Sequence, residues 1–573
     1  MIDIVTRSRI LPAVCLGALS GITTAQTLLS EWPGHRVRAA DSIPDLDGDG
    51  FRELLVGDIE YPYLPGTTYG RVYAASGLSG EILYQRSGVV ELEVLGSYMT
   101  SIDDVTGDGF PDFMSTTGRK ENGTGTFVFD GKDGSVVYQH PNRTSLITSL
   151  GDLNGDGHGD VFLNPNVYFG GNGTLAYQFS VSHPTILSNS FVAFFGWSST
   201  VLDDLNGDGV PDFAVGAPGD IVNENGGMGF VFVYSGATGE ELYHLEAPEG
   251  NLHIYVPEEF GYDVADPGDV NGDGIGDLVV GAPKAGEVPA GTVYFFDGPT
   301  GELIYKVIAD RSGPLQKAFG RWVEAAGDVN GNGFGDVLVT VISATMGVEE
   351  LLVLVLDGRA GELLFEIPRS LIPWVGDGHD WNGDGFPDFA AWGGLYPNQR
   401  MSLYSGAPPG VTSLGSPCPA QEGPRIGATG SPEVGAGATI HLSGVPPGRR
   451  AALLIGPADG HHLLPAPCSA GSTGVQPRCR PRVRPDRLFL ARTEEIRPGE
   501  GAATVLVPIV NDPALIGARI RAQWMVEDPS SPGGWSLSRV LQLEAQPAAA
   551  PSAVAGSLVV EAGPAAGAAV RAR

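Results

Sequence analysis

Seven copies of one nine-residue string constrain this chain more than anything else in it. DLDGDGFRE begins at Asp45, DVTGDGFPD at Asp104, DLNGDGHGD at Asp152 and DLNGDGVPD at Asp204. DVNGDGIGD follows from Asp269, DVNGNGFGD from Asp328 and DWNGDGFPD from Asp380. Successive starts lie 59, 48, 52, 65, 59 and 52 residues apart. Self-similarity at so even a period marks a repeat architecture, in which each unit buries its apolar surface against its neighbours.

What surrounds each loop repeats as well. A short β-type run follows it, such as LLVG, FAVG or LVVG. A second run then ends in a tight turn, as in VYAASGLSG, VFVYSGATG and VYFFDGPTG, and a third follows, such as EILYQ, ELYHL or ELIYKV. With the run entering the next loop, each period holds about four short strands with period-2 patterning. The 84 glycines and 44 prolines fit the many turns this requires and follow no collagen period. Four strands per repeat, seven times over, predict an all-β fold: a seven-bladed β-propeller over residues 26–410. A β-solenoid is the rival, but its coils are shorter.

Phe195-Gly196 lies 21 residues before Gly216-Ala217-Pro218, and Phe260-Gly261 lies 21 before Gly281-Ala282-Pro283. Phe319-Gly320 holds the same place in the sixth repeat. With the acidic loop between them, these strings resemble FG-GAP repeats, the blades of the integrin α-subunit propeller and its secreted bacterial relatives. The resemblance is most specific in repeats four and five. Repeats one, two, three and seven keep the acidic loop without the FG or GAP signature.

Positions 1, 3, 5 and 9 of each loop carry oxygen side chains. They are Asp45, Asp47, Asp49 and Glu53; Asp104, Thr106, Asp108 and Asp112; Asp152, Asn154, Asp156 and Asp160; and Asp204, Asn206, Asp208 and Asp212. The later loops present Asp269, Asn271, Asp273 and Asp277; Asp328, Asn330, Asn332 and Asp336; and Asp380, Asn382, Asp384 and Asp388. Alternating carboxylate and amide oxygens on a tightly wound loop suit a hard cation, Ca²⁺ before Mg²⁺. Softer metals would want His or Cys in this register. An EF-hand would need a bidentate Glu at position 12, where this chain has Val56, Ser115, Leu163, Val215, Val280, Val339 and Ala391. The acidic residue at position 9 is what the FG-GAP resemblance implies as ligand instead. About seven structural Ca²⁺ ions are therefore expected, weakest at loops two and six, where Thr106 and Asn332 depart from the pattern. The alternative is a set of Asn/Asp-Gly turns without ions.

The net charge of −33 argues against a nucleic-acid partner. It is unevenly spread: residues 411–573 carry 15 Arg against 12 Asp and Glu, leaving −36 for residues 1–410. Residues 1–25, with Arg7 and Arg9 ahead of an apolar stretch and a small-residue end, read as a secretory signal peptide. The mature chain shows no membrane span. Of the remaining cysteines, Cys418, Cys468 and Cys479, a Cys418–Cys479 bridge is favoured in an oxidising compartment. The string after Ser405-Gly406 reads as a linker. Runs such as ATIHLSG, AALLIG, ATVLVPIV and RIRAQWMV then predict a small antiparallel β-sandwich over 411–546. Residues 547–573, rich in Ala, Gly and Pro, are expected to be disordered.

No nucleophile elbow, phosphate-binding loop or zinc-protease motif is present. Glu258-Glu259 and Glu349-Glu350 read as solvated edges rather than glycosidase pairs. Trp197, Trp322, Trp374 and Trp392 read as packing between blades rather than as a sugar-binding face. The leading reading is a secreted, calcium-binding, non-enzymatic adhesion or recognition module for an extracellular protein or glycan. The resemblance to integrin α-subunits implies cell-surface or matrix recognition. The alternative is an extracellular hydrolase or lyase acting on polysaccharide or phospholipid. Finally, the seventh repeat lacks an outer strand and the N-terminal Thr27–Trp32 lacks a blade, so this segment is expected beside Met401–Tyr404, closing the ring.

Overall fold

A computed structural model describes most of residues 28–563. The larger stretches outside the description are 1–27, 60–69, 180–193, 220–228, 249–257, 368–379, 415–423, 459–486, 546–557 and 564–573; shorter ones include 49–51 and 382–385. The expected signal peptide and the three C-terminal cysteines lie outside the described residues.

Strand after strand is antiparallel, and the described residues contain a single 3₁₀ turn, Pro513–Leu515, besides strands. Between residues 28 and 404, seven sheets succeed one another. The fourth sheet shows the pattern: Ser198–Leu202, Asp212–Ala217, Phe230–Tyr234 and Glu241–Glu246 pair in sequence order. The acidic loop is the connection between the first two strands, with Leu202 opposite Asp212. A register shift at Val233/Tyr234 takes the chain into a turn closed by Gly239 N–H to the Ser235 carbonyl, 2.8 Å, with Gly239 at φ +70°. Only a residue tolerant of left-handed backbone fits there.

Burial falls from the inside out. Asp212–Ala217 and Phe230–Tyr234 are buried throughout, whereas Glu241–Glu246 alternates between exposed and covered. Strands buried on both faces lie between neighbouring sheets, and apolar clusters fill the interfaces. Val231 and Val233 of the fourth sheet, for example, pack with Val280, Tyr294 and Phe296 of the fifth. This is a β-propeller.

Three contacts recur between neighbouring sheets. The loop's second residue packs on a turn glycine of the following sheet: a Cβ on Gly170 would lie 2.8 Å from Val105, and one on Gly236 2.8 Å from Leu153. The glycine of GAP abuts the glycine of FG. A Cβ on Gly216 would sit 2.3 Å from the Gly261 carbonyl oxygen, and one on Gly281 2.1 Å from that of Gly320. Both glycines of the signature are thus required by close approach of two backbones. Outer-strand tyrosines donate to the turn-glycine carbonyl of the next sheet, Tyr84 to Gly131 at 2.6 Å, Tyr138 to Gly170 at 3.2 Å, and Tyr243 to Gly298.

The ring closes through the N-terminal strand, as expected. Leu28–Pro33 pairs antiparallel with Arg400–Tyr404, Trp32 opposite Met401, and Arg400–Tyr404 pairs on its other side with Phe389–Gly393. Trp381, the second residue of loop seven, reaches within 3.0 Å of a Cβ placed on Gly77 of the first sheet. That is the same contact Val105 makes two sheets further on.

The described residues of 411–545 form two facing antiparallel sheets around a core of Ile440, Leu442, Leu453, Trp524 and Leu541, with Trp524 Nε1–H donating to the His441 carbonyl at 2.9 Å. Val411–Leu414, read as linker from its sequence, is a strand of this sandwich and pairs with Val540–Glu544. The tail also differs from expectation. Leu558–Ala562 pairs with Leu303–Ala309 as a fifth strand on the fifth sheet. The reason lies in its partner: Ile304, Tyr305, Val307 and Ala309 are apolar and buried, unlike the half-exposed outer strands elsewhere.

Candidate metal centres

Each fully described loop folds around its own first carboxylate. In loop four, Asp204 Oδ1 accepts from the backbone N–H groups of Gly207 (2.7 Å) and Asp208 (3.0 Å), and Oδ2 from Gly209 (2.6 Å). Gly207 and Gly209 stand at φ +77° and +89°, which is why positions 4 and 6 are glycine. Asp104 and Asp152 make the same three contacts in loops two and three. The oxygen of position 3 accepts from the position-5 N–H, as Asn206 does from Asp208 at 2.9 Å. One oxygen of position 5 accepts from the position-7 N–H: Asp208 from Val210 at 3.0 Å, Asp156 from His158 at 2.9 Å.

Position 9 works at the other end. Glu53, Asp112, Asp160, Asp212, Asp277, Asp336 and Asp388 are all fully buried. Asp212 Oδ2 accepts from Leu205 N–H (2.9 Å) and Oδ1 from Gly236 N–H (3.1 Å), so it ties the loop to the turn between the third and fourth strands. Glu53, Asp112, Asp160, Asp277, Asp336 and Asp388 repeat the clamp with Gly77, Gly131, Gly170, Gly298, Gly358 and Gly406. Position 9 is therefore also a structural clamp, a role its place in the motif does not reveal.

The electrostatics of the two ends differ. Hydrogen bonds led by Gly209 N–H hold Asp204 below the usual carboxylate range. Burial pushes Asp112 up to about 6 and Asp277 up to about 8, against the pull of their backbone donors. A divalent cation beside such a group favours its charged form. In loop one the ligand atoms of Asp45, Asp47 and Glu53 lie within 4.8 Å of one another. An all-oxygen set gathered this closely fits a hard cation.

Not every expected ligand is free to point inward. Thr106 turns its hydroxyl onto Asp104 Oδ1 at 3.1 Å, and Asn271 donates to Asp297 Oδ2 at 2.9 Å. Asp49, Asn382 and Asp384 lie outside the described residues. Asp297 and its counterparts Asp357 and Ser235, one residue before the turn glycine, join the loop clusters unannounced by the nine-residue motif. The recurring FDG, LDG and YSG strings were the available signal.

Other expectations need correction. Trp197 is 43% exposed and stands 5.4 Å from Tyr262 in the next sheet rather than packing inside. Glu258 and Glu259 are buried, not solvated, and Glu259 pairs with Lys284 at 2.7 Å. The second sheet keeps the FG turn in disguise. Val94-Leu95-Gly96 has Val94 at φ +55° and Gly96 at +88°, matching Phe194 and Gly196 at +67° and +74°.

With this geometry the chain is a β-propeller that carries FG-GAP repeats and is similar to integrin α-subunits. The FG-GAP repeat family model matches residues 195–234 and 260–296. Integrin alpha-PS5 of Drosophila melanogaster is 31% identical over 153 residues, 26% of this chain and 15% of that protein. Integrin alpha-5 of Xenopus laevis is 27% identical over 312 residues, 50% of this chain and 27% of its own length. Integrin alpha-V of Gallus gallus is 30% identical over 208 residues, 32% and 20% respectively. The chain thus spans well under a third of these relatives. A solved structure, the Dos1 propeller, aligns over 53% of this chain and 65% of its own at TM-score 0.31 and 13% identity, too low to bear on the argument.

Proposed function

We propose that this chain is a secreted, calcium-stabilised, seven-bladed propeller that acts as a non-enzymatic adhesion or recognition module for an extracellular protein or glycan. The observation that carries the reading is the repetition of one loop geometry, with each position-9 carboxylate clamping its own sheet, in a chain similar to integrin α-subunits. Calcium at the loops would be held by positions 1, 3, 5 and 9. It offsets the repulsion between carboxylates that share each loop and so couples cation binding to sheet order. Loops on a rigid frame then present the recognition surface. No helix among the described residues is long and apolar enough to cross a membrane.

The test uses the chain beginning at Gln26, screened against immobilised matrix proteins and a glycan array, with calcium and after chelation. Calcium-dependent retention without turnover is the expected outcome, together with a melting temperature that falls when calcium is removed. Release of product from a polysaccharide or phospholipid would favour a hydrolase or lyase instead. A melting temperature indifferent to chelator would remove the calcium part of the reading.

A further inference from the structure

Loop six differs from loops two to five at position 5, where Asn332 replaces an aspartate, and it lies under the C-terminal sandwich. In loops two to five the position-7 N–H claims one oxygen of the position-5 aspartate: Phe110 on Asp108 at 3.0 Å, His158 on Asp156 at 2.9 Å, Val210 on Asp208 at 3.0 Å, Ile275 on Asp273 at 2.9 Å. The second carboxylate oxygen, which also meets Lys132 at Asp108, Asn154 at Asp156 and Ser235 at Asp208, keeps lone pairs to offer a cation. In loop six the residue is Asn332, and Phe334 N–H likewise takes its Oδ1, at 2.8 Å. The atom in the ligand's place is therefore Nδ2, a donor with no lone pair to offer. It donates to Asp357 Oδ2 at 3.0 Å, and Asn330 Nδ2 donates to the same oxygen at 3.0 Å. Two amide donors thus satisfy a carboxylate inside the loop, as a cation would. The residues of loop six do not fit a calcium site.

The C-terminal sandwich sits over this loop, and it also touches Gly272 of loop five and packs Phe386 of loop seven. A Cβ on Gly331 would lie 2.4 Å from Gly427 Cα, and one on Gly333 2.3 Å from the Ile496 side chain. Gly331, Gly333 and Phe334 are buried, whereas Asn206 to Gly209 of loop four are exposed. Arg425 of the sandwich adds favourable charge at Asp328.

We infer that loop six holds no cation and is the metal-independent seat of the C-terminal sandwich, with the Asn332 and Asn330 amides standing in for the ion. The inference rests on the proposed calcium binding of the other loops. It follows that calcium loss loosens the open loops while the seat stays closed.

Hydrogen exchange on the full mature chain, in calcium and in chelator, tests this. Amides at Gly207–Gly209 and Gly155–Gly157 should exchange about tenfold faster or more in chelator, while those at 331–334 and 426–429 stay within about twofold. N332D should add one bound calcium per chain and make exchange at loop six calcium-dependent. Loop six opening in chelator together with loop four would overturn the inference, as would N332D with unchanged calcium content. A chain in which no loop responds would overturn the calcium reading itself, and the contrast with it. Should N332D fail to fold, the native-chain comparison of loops four and six decides alone.

Discussion

Two sheets borrow a strand from a chain end, and the loans differ in kind. The seventh sheet takes Leu28–Pro33, which supplies the outer position that every other sheet fills from its own repeat. The fifth sheet already has four strands of its own and takes Leu558–Ala562 as an addition. The hydrogen-bond ladders are alike. One strand completes the closure of a ring, while the other covers an apolar edge and ties the tail down through Lys306 and Glu561 at 3.0 Å. Equal pairing does not mean equal consequence, because only the first is shared between the two ends of a cooperative unit.

The largest way to break this comparison is by deletion. Removing residues 26–33 should lower the melting temperature by about 10 °C or more, the scale of several kcal/mol in a domain of this size. Removing residues 546–573 should cost only about 1–2 kcal/mol, since it exposes part of one outer strand. Calorimetry on the two truncations decides it, and similar losses would end the distinction.

Acid offers a way to load the sandwich without touching either borrowed strand. Burial pushes His441 down to about 4. The unfolded chain therefore binds this proton more readily, and the contribution is fully present above about pH 6.5 and lost as pH falls toward 4. The loss amounts to about 3 kcal/mol at most. Denaturant melts of the full chain across this range should show the sandwich transition weakening, and H441L should flatten that slope. An unchanged slope in H441L would place the acid sensitivity elsewhere.

The smallest lever is a single hydrogen bond between neighbouring sheets, made by neither borrowed strand. Tyr243 donates to the Gly298 carbonyl, and Y243F should cost about 1 kcal/mol. Phe365 stands in the matching outer strand of the sixth sheet, so F365Y offers the converse change. A Y243F variant as damaged as the 26–33 deletion would mean that ordinary junctions and the closing one are equally critical.

Much of this was legible in advance because it is local. The seven loops, the glycines at their fourth and sixth positions and the strands between turns follow from backbone preferences within a few residues. Even the closing strand followed from a missing outer strand in one repeat and a spare run at the N-terminus. The tail strand was hidden by its Ala/Gly/Pro surroundings, and only the apolar Leu303–Ala309 edge gives LVVEA a place. Val411–Leu414 looked like linker because its partner, Val540–Glu544, lies far along the chain. The degenerate FG turn at Leu95-Gly96 was missed because backbone angle, not the phenylalanine, defines it.

The sequence by itself determined the repeat, the strand count within it and the oxygen-rich loops, since each depends on short-range geometry and residue chemistry. Tertiary structure decided how those loops differ. It buried every position-9 carboxylate beneath the neighbouring turn, left loop four open to solvent and set the sandwich on loop six. Burial, close approach and the partner of an amide are properties of residues brought together from distant parts of the chain, and no nine-residue window contains them.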